Sequence, residues 1–172
     1  MISADKFKAI KAIISDIDGV LTDGRVGYGA PDFIKFFHYR DGHWLKMAKR
    51  EGYIIGLISG RSSEANRKRA RELGLDFCKE DIISKITAFE EILQEYGLKP
   101  EECLYVGDDV VDLPVLKRVG IAIAVADAVP ALDEFVHWRL QTPGGHGVFV
   151  EIIERLFREC GILDKALERY RQ

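Results

Sequence analysis

The chain has 172 residues, 47% hydrophobic and 31% charged, the composition of one globular domain rather than of a disordered or fibrous chain. A domain of this length can bury roughly 70% of its unfolded surface, so a core needs neither disulfides nor a structural metal. Against 25 Lys and Arg stand 28 Asp and Glu, for a formal charge of −3, which argues against the broad positive field that nucleic-acid binding requires.

In chain order, Met1–Lys8 has no long apolar stretch and no small-residue cleavage site, so it does not read as a signal peptide. No later run approaches the ~18–20 apolar residues of a membrane span. Ala12–Ser15 reads as a buried strand. Residues Arg25–His38 read as two strands around a Gly-Ala-Pro-Asp turn. This hairpin carries Val26, Tyr28, Phe33, Phe36 and Phe37, more apolar surface than an isolated hairpin can leave wet, and is expected to pack against other subunits. A helix follows at Asp41–Glu51, a strand at Ile54–Ile58, and a charged helix at Ser62–Leu73 stopped by Gly74. Phe77-Cys78 forms a short strand, and Ser84–Tyr96 is a helix stopped by Gly97. Leu104–Val106 and Ile121–Val125 are strands, and Val148–Phe157 is a helix with Val148, Phe149, Ile152, Ile153, Leu156 and Phe157 on one stripe. Cys78, Cys103 and Cys160 are widely spaced and odd in number, which predicts free thiols and a cytoplasmic, reducing location. Continuously apolar strands alternating with helices predict an α/β doubly wound, Rossmann-like parallel sheet with helices on both faces and a protruding hairpin.

In such folds ligands sit beyond the carboxyl ends of the strands, and the polar clusters fall there. After the first strand comes Asp16-Ile17-Asp18-Gly19, two carboxylates two residues apart, unfavourable unless they share a cation or a proton. After the fourth comes Gly107-Asp108-Asp109-Val110-Val111-Asp112, with Asp108 and Asp112 on one face if a helix starts there. Hard oxygen donors at two strand ends suit Mg²⁺ better than zinc. Ser59-Gly60-Arg61 offers a hydroxyl and backbone N–H groups at an expected helix N-terminus, which suits an anion. Lys85, at the start of its helix, opposes the helix dipole unless an anion lies nearby. No two histidines have metal-ligand spacing. His38, His43 and His146 are candidates for the edge of the site, and His137 reads as structural.

Acid pair, Ser-Gly, Lys and second acid cluster, in this order over Ile13–Asp112, resemble the haloacid dehalogenase-like phosphatase superfamily. The resemblance implies Asp16 as nucleophile and Asp18 as general acid/base, with Ser59, Gly60 and Lys85 on the phosphoryl oxygens. It implies Mg²⁺ on Asp16, Asp18 (through its carbonyl) and Asp108, supported by Asp109 and Asp112. Residues Asp18–Gly24, the hairpin, Arg40-Asp41-Gly42, Ile58–Arg61 and the turn Gly144–Gly147 look like the 3-deoxy-D-manno-octulosonate 8-phosphate phosphatase family. That resemblance implies one cap-less domain over residues 1–172, a homotetramer joined through its hairpins, and a phosphorylated sugar-acid substrate contacted by Thr22, Arg40, Asp41 and Arg61. It also implies that the tail, residues 161–172, can close a neighbouring site. The chain departs from the family at Val150, where relatives commonly carry Arg, which leaves Arg61 and Arg40 to meet a substrate carboxylate. Two other readings are a phosphatase for a nine-carbon keto-sugar acid or other small phosphate ester, and an oligomerisation module with little catalysis.

Overall fold

The computed structural model describes residues 2–29 and 33–171. Its helices and strands are α1 (Ala4–Ala9), β1 (Ala12–Ser15), β2 (Gly27–Tyr28), β3 (Phe33–Ile34), α2 (Tyr39–Arg50), β4 (Ile54–Ile58), α3 (Glu64–Leu73), β5 (Phe77–Lys79), α4 (Lys85–Tyr96), β6 (Cys103–Gly107), α5 (Leu113–Leu116), β7 (Ile121–Ala124), β8 (Trp138–Arg139), α6 (Val148–Glu159) and α7 (Leu163–Glu168). Six strands form one parallel sheet in the order β5-β4-β1-β6-β7-β8. β1 is buried at every residue and lies between β4 and β6, with Ala12 beside both Ile54 and Cys103. Its apolar run is continuous because both faces are covered: α2 packs with α6, and α4 with α5. Phe7, Ile13, Ile14, Phe89, Tyr105, Phe149, Ile153 and Phe157 are at most 1% exposed.

The topology selects one crevice. From β1 the chain moves outward to β4 and β5, and from β6 it moves the other way to β7 and β8. The connections therefore diverge between β1 and β6, the place where doubly wound sheets bind ligands. Asp16–Asp18 leave β1 there, and Asp108–Asp112 leave β6 there.

Among the described residues, the hairpin and α2 are the only elements between β1 and β4. The hairpin is shorter than its sequence suggests, pairing Gly27 with Ile34 and Tyr28 with Phe33, and of its expected turn at 29–32 residues 30–32 lie outside the described residues. It leaves Tyr28 84%, Ile34 51% and Phe36 79% exposed. Helix ends follow their caps. Ser63 Oγ accepts from Asn66 N at 3.1 Å, so α3 starts two residues later than expected. Gly74 and Gly97 close α3 and α4 in the left-handed conformation. The tail lies on its own subunit: Ala166 is buried, Lys165 pairs with Glu51 and Arg50 donates to Tyr170 Oη at 2.6 Å.

Helix α4 carries Lys85 at its first position and is anchored by Phe89 and Ile92, neither of them exposed. Phe89→Ala is expected to lower stability by about 3–5 kcal/mol through lost burial and the cavity left behind, read as a fall in the urea midpoint at unchanged slope.

Candidate active site

Helix α4 points Lys85 into the crevice. Its ammonium lies 2.8 Å from Asp16 Oδ2 and 2.7 Å from Asp112 Oδ1, and the residue is 5% exposed. Burial works against its charge, but the Asp16 and Asp112 carboxylates outweigh burial and hold it above the ordinary lysine range. The other oxygen of Asp16 accepts from Ile17 N at 2.6 Å. Asp16 is pushed up to about 6 by burial and the neighbouring Asp112, with Lys85 opposing. Asp108 is pushed up to about 7 by burial and by the charges of Asp16 and Asp112.

Two glycines permit this crowding. Gly19 has φ +89°, and a Cβ on it would overlap the Asp108 carboxylate. A Cβ on Gly107 would overlap Asp112.

Asp16, Asp108 and Asp112 each offer an oxygen within 4.8 Å of the others. Three carboxylates against one ammonium leave two negative charges, and Asp108 Oδ1 is buried with no hydrogen-bond partner. A hard divalent cation fits this donor set. Both oxygens of Asp112 are already engaged: Lys85 Nζ and Tyr105 Oη donate to its Oδ1 and the N–H groups of Asp108 and Asp109 to its Oδ2. Asp16 and Asp108 are thus the acids left to face a cation.

The surrounding cleft, of about 600 Å³, is lined by Asp16, Asp18, Ser59, Gly60, Arg61, Lys85, Asp108 and Asp109. Ser59 is 1% exposed and its Oγ accepts from Arg61 N at 3.2 Å. Because α3 begins only at Glu64, Ser59–Arg61 form a turn ahead of the helix rather than its N-terminus. Asp109 sits at the exposed rim and its side chain caps Val110 N at 2.7 Å, so it braces its own turn. Asp18 reaches the cleft with both carboxylate oxygens held by Lys35 of the hairpin, at 2.7 and 2.9 Å.

Three expected substrate contacts lie elsewhere. Thr22 is 1% exposed; its hydroxyl donates to Ile17 O and accepts from the N–H groups of Gly19 and Gly24, holding the loop after β1. Asp41 is fully buried and accepts from Phe149 N at 2.7 Å, tying α2 to the first turn of α6. Arg40 is exposed and donates to Tyr39 Oη at 3.3 Å, and it does not line the cleft. Of the four, only Arg61 does. His43 packs edge-on against Tyr170, His38 stacks on Tyr39, and His137 Nδ1 accepts from Ala122 N at 3.0 Å. All three cysteines are free, and no helix among the described residues is long and apolar enough to cross a membrane.

Residues 41–120 match the family model of the haloacid dehalogenase-like hydrolases. The chain is 34% identical, over 96% of its length and 90% of the relative's, to the 3-deoxy-D-manno-octulosonate 8-phosphate phosphatase of Escherichia coli K12. It is 38% identical to that of Haemophilus influenzae, covering 91% and 87%. Among solved structures it superposes on the Moraxella catarrhalis 3-deoxy-D-manno-octulosonate 8-phosphate phosphatase, in complex with magnesium ion, phosphate ion and KDO. The TM-score is 0.93 at 29% identity, covering 97% of each chain. It also superposes on a probable YrbI family phosphatase of Pseudomonas syringae, with TM-score 0.94 at 35% identity, covering 98% and 97%.

Mg²⁺ at a hundredfold excess over its Kd is expected to raise the Tm by about 5–10 °C. Asp108→Asn should abolish that rise in a thermal-shift measurement. A second expectation concerns Asp41, pushed up from 3.8 to about 7 by burial, with the Phe149 N–H and Arg69 opposing. Between those values the folded chain holds a proton that the unfolded chain has lost, so stability falls as pH rises through this window. Asp41→Asn should therefore shrink the loss of urea stability between pH 5 and pH 8.

Proposed function

This chain belongs to the haloacid dehalogenase-like hydrolases, in the family of the 3-deoxy-D-manno-octulosonate 8-phosphate phosphatases, and on that footing we propose that it hydrolyses the phosphate ester of a 2-keto-3-deoxy sugar acid, the eight-carbon 8-phosphate, through an aspartyl-phosphate. The observation that carries the reading is the convergence of Asp16, Asp18 and Asp108 at the diverging ends of β1 and β6, with Lys85 seated against Asp16.

The chemistry follows from the side chains. A carboxylate oxygen of Asp16 attacks phosphorus, and the bond from phosphorus to the ester oxygen breaks. Asp18 gives its proton to the departing alkoxide. It then takes a proton from water, whose oxygen attacks the same phosphorus and releases inorganic phosphate and free Asp16. Lys85 offsets the repulsion between the nucleophile and the phosphate oxygens, and the Ser59 hydroxyl with the N–H of Gly60 holds those oxygens. Asp16, the Asp18 carbonyl and Asp108 would hold Mg²⁺, with Asp112 in support, and the bound ion adds positive charge where the transferring phosphoryl group carries its negative charge.

Arg61 lines the cleft, which supports it as the partner of the sugar-acid carboxylate. Val150, in the first turn of α6, brings no charge to that task. The exposed Tyr28, Ile34 and Phe36 support a homotetramer joined through the hairpins. Free cysteines and the sugar-acid phosphate support a cytoplasmic enzyme.

Phosphate release should be measured with Mg²⁺ on eight- and nine-carbon keto-sugar-acid phosphates and on simple phosphate esters. The eight-carbon ester should give the highest kcat/KM, and Asp16→Asn should lose at least ~10³-fold on it. Equal rates for Asp16→Asn and the native chain would remove the mechanism. A higher kcat/KM on the nine-carbon ester would move the substrate.

A further inference from the structure

The hairpin reaches into the chemistry. Along residues 34–37 the side chains alternate: Ile34 and Phe36 face out, while Lys35 and Phe37 face in. The Lys35 side chain is 3% exposed, and its ammonium donates to Asp18 Oδ1 at 2.7 Å and Oδ2 at 2.9 Å. A lysine just past a two-residue strand would ordinarily keep its charge in water, and burying it is unfavourable unless it is paired. Here both oxygens of one carboxylate supply the pairing, which fixes the plane and position of that carboxylate.

The backbone bearing Lys35 is itself held. Arg69 of α3 lies over the Phe37 ring, 5.5 Å from its centroid, and donates to His38 O at 3.2 Å. The segment leaving β3 is thereby tied to α3. Lys35 does not line the cleft, and among the described residues its ammonium bonds to Asp18. It therefore stands behind the acid/base rather than among the groups on the phosphoryl oxygens, where Lys85 already lies.

We propose that Lys35 is a positioning residue, delivered by the hairpin, that holds the Asp18 carboxylate in line with the leaving oxygen and, after transfer, with the attacking water. The proposal rests on the acid/base reading of Asp18, and it predicts a signature that depends on the leaving group. An alkyl ester needs a proton on its departing oxygen. A nitrophenyl ester releases a stable phenolate and does not, although the aspartyl-phosphate it leaves still needs a base to activate water.

The test uses Lys35→Met, which keeps the buried stem and removes the ammonium, and Lys35→Ala beside it. Both are assayed as full-length protein with Mg²⁺, on the eight-carbon sugar-acid phosphate and, by stopped flow, on p-nitrophenyl phosphate. Lys35→Met should lower kcat on the sugar ester at least ~10-fold with little change in KM. On p-nitrophenyl phosphate it should give a one-equivalent burst of nitrophenolate within about twofold of the native rate, followed by slow turnover. Unchanged kcat on the sugar ester, an equal loss in burst rate and sugar-ester turnover, or a rise in KM alone would each overturn the proposal, the last by making Lys35 a substrate contact. Asp18→Asn tests the underlying reading separately. If it shows no leaving-group dependence, Asp18 is not the acid, whatever Lys35 does.

Discussion

Like charges set the terms of this structure. Asp16, Asp108 and Asp112 bring carboxylate oxygens within 4.8 Å of one another in a crevice largely screened from water. Carboxylates that close cannot all stay ionised without positive charge among them. Lys85 supplies one unit, bridging Asp16 and Asp112, and the remainder appears as the raised proton affinity of Asp16 and Asp108. The site is built to take up either protons or a dication. Loading it with the dication leaves Asp16 ionised, the form that the proposed attack on phosphorus requires.

The fold exists to bring these groups to one place. β1 and β6 are neighbours in a buried parallel sheet, and the chain leaves them in opposite directions, which opens a crevice at their carboxyl ends. Gly19 lets the loop after β1 approach the Asp108 carboxylate, and Gly107 lets Asp112 fold back against the end of β6, each carboxylate filling the space a side chain would take. Helix α4 adds Lys85 from the face it covers, its register fixed by Ser84, which caps its first turn, and by Phe89 below. Among the described residues the cleft is walled by the loops that follow β1, β4, β5 and β6 and by the first turn of α4.

Much of this was legible in the sequence, for a physical reason. Strands covered on both faces must be continuously apolar, so Ala12–Ser15 and Leu104–Val106 stood out, and the acids that follow them marked the site. Thr22 and Asp41 show how a polar side chain beside a motif can look like a ligand contact while it serves the backbone. In the structure each accepts from backbone N–H groups, Thr22 from Gly19 and Gly24 and Asp41 from Phe149. Tyr105, whose hydroxyl reaches Asp112 at 2.6 Å, was hidden inside an apolar strand. Lys35 was hidden by the brevity of the hairpin: only inward-outward alternation at residues 34–37 could have marked it, and two paired residues per strand are too few to read that period. α1 and β8, of six and two residues, fell below the length at which periodicity speaks.

The central claim is a covalent bond between phosphorus and one named carboxylate. Acid-quenched mixtures of enzyme, Mg²⁺ and substrate, digested and read by mass spectrometry, test it directly. The account predicts a transient gain of one phosphoryl group on the peptide carrying Asp16, absent from Asp16→Asn. Full native turnover with that peptide never modified, or with the phosphoryl group found on Asp108, would contradict it.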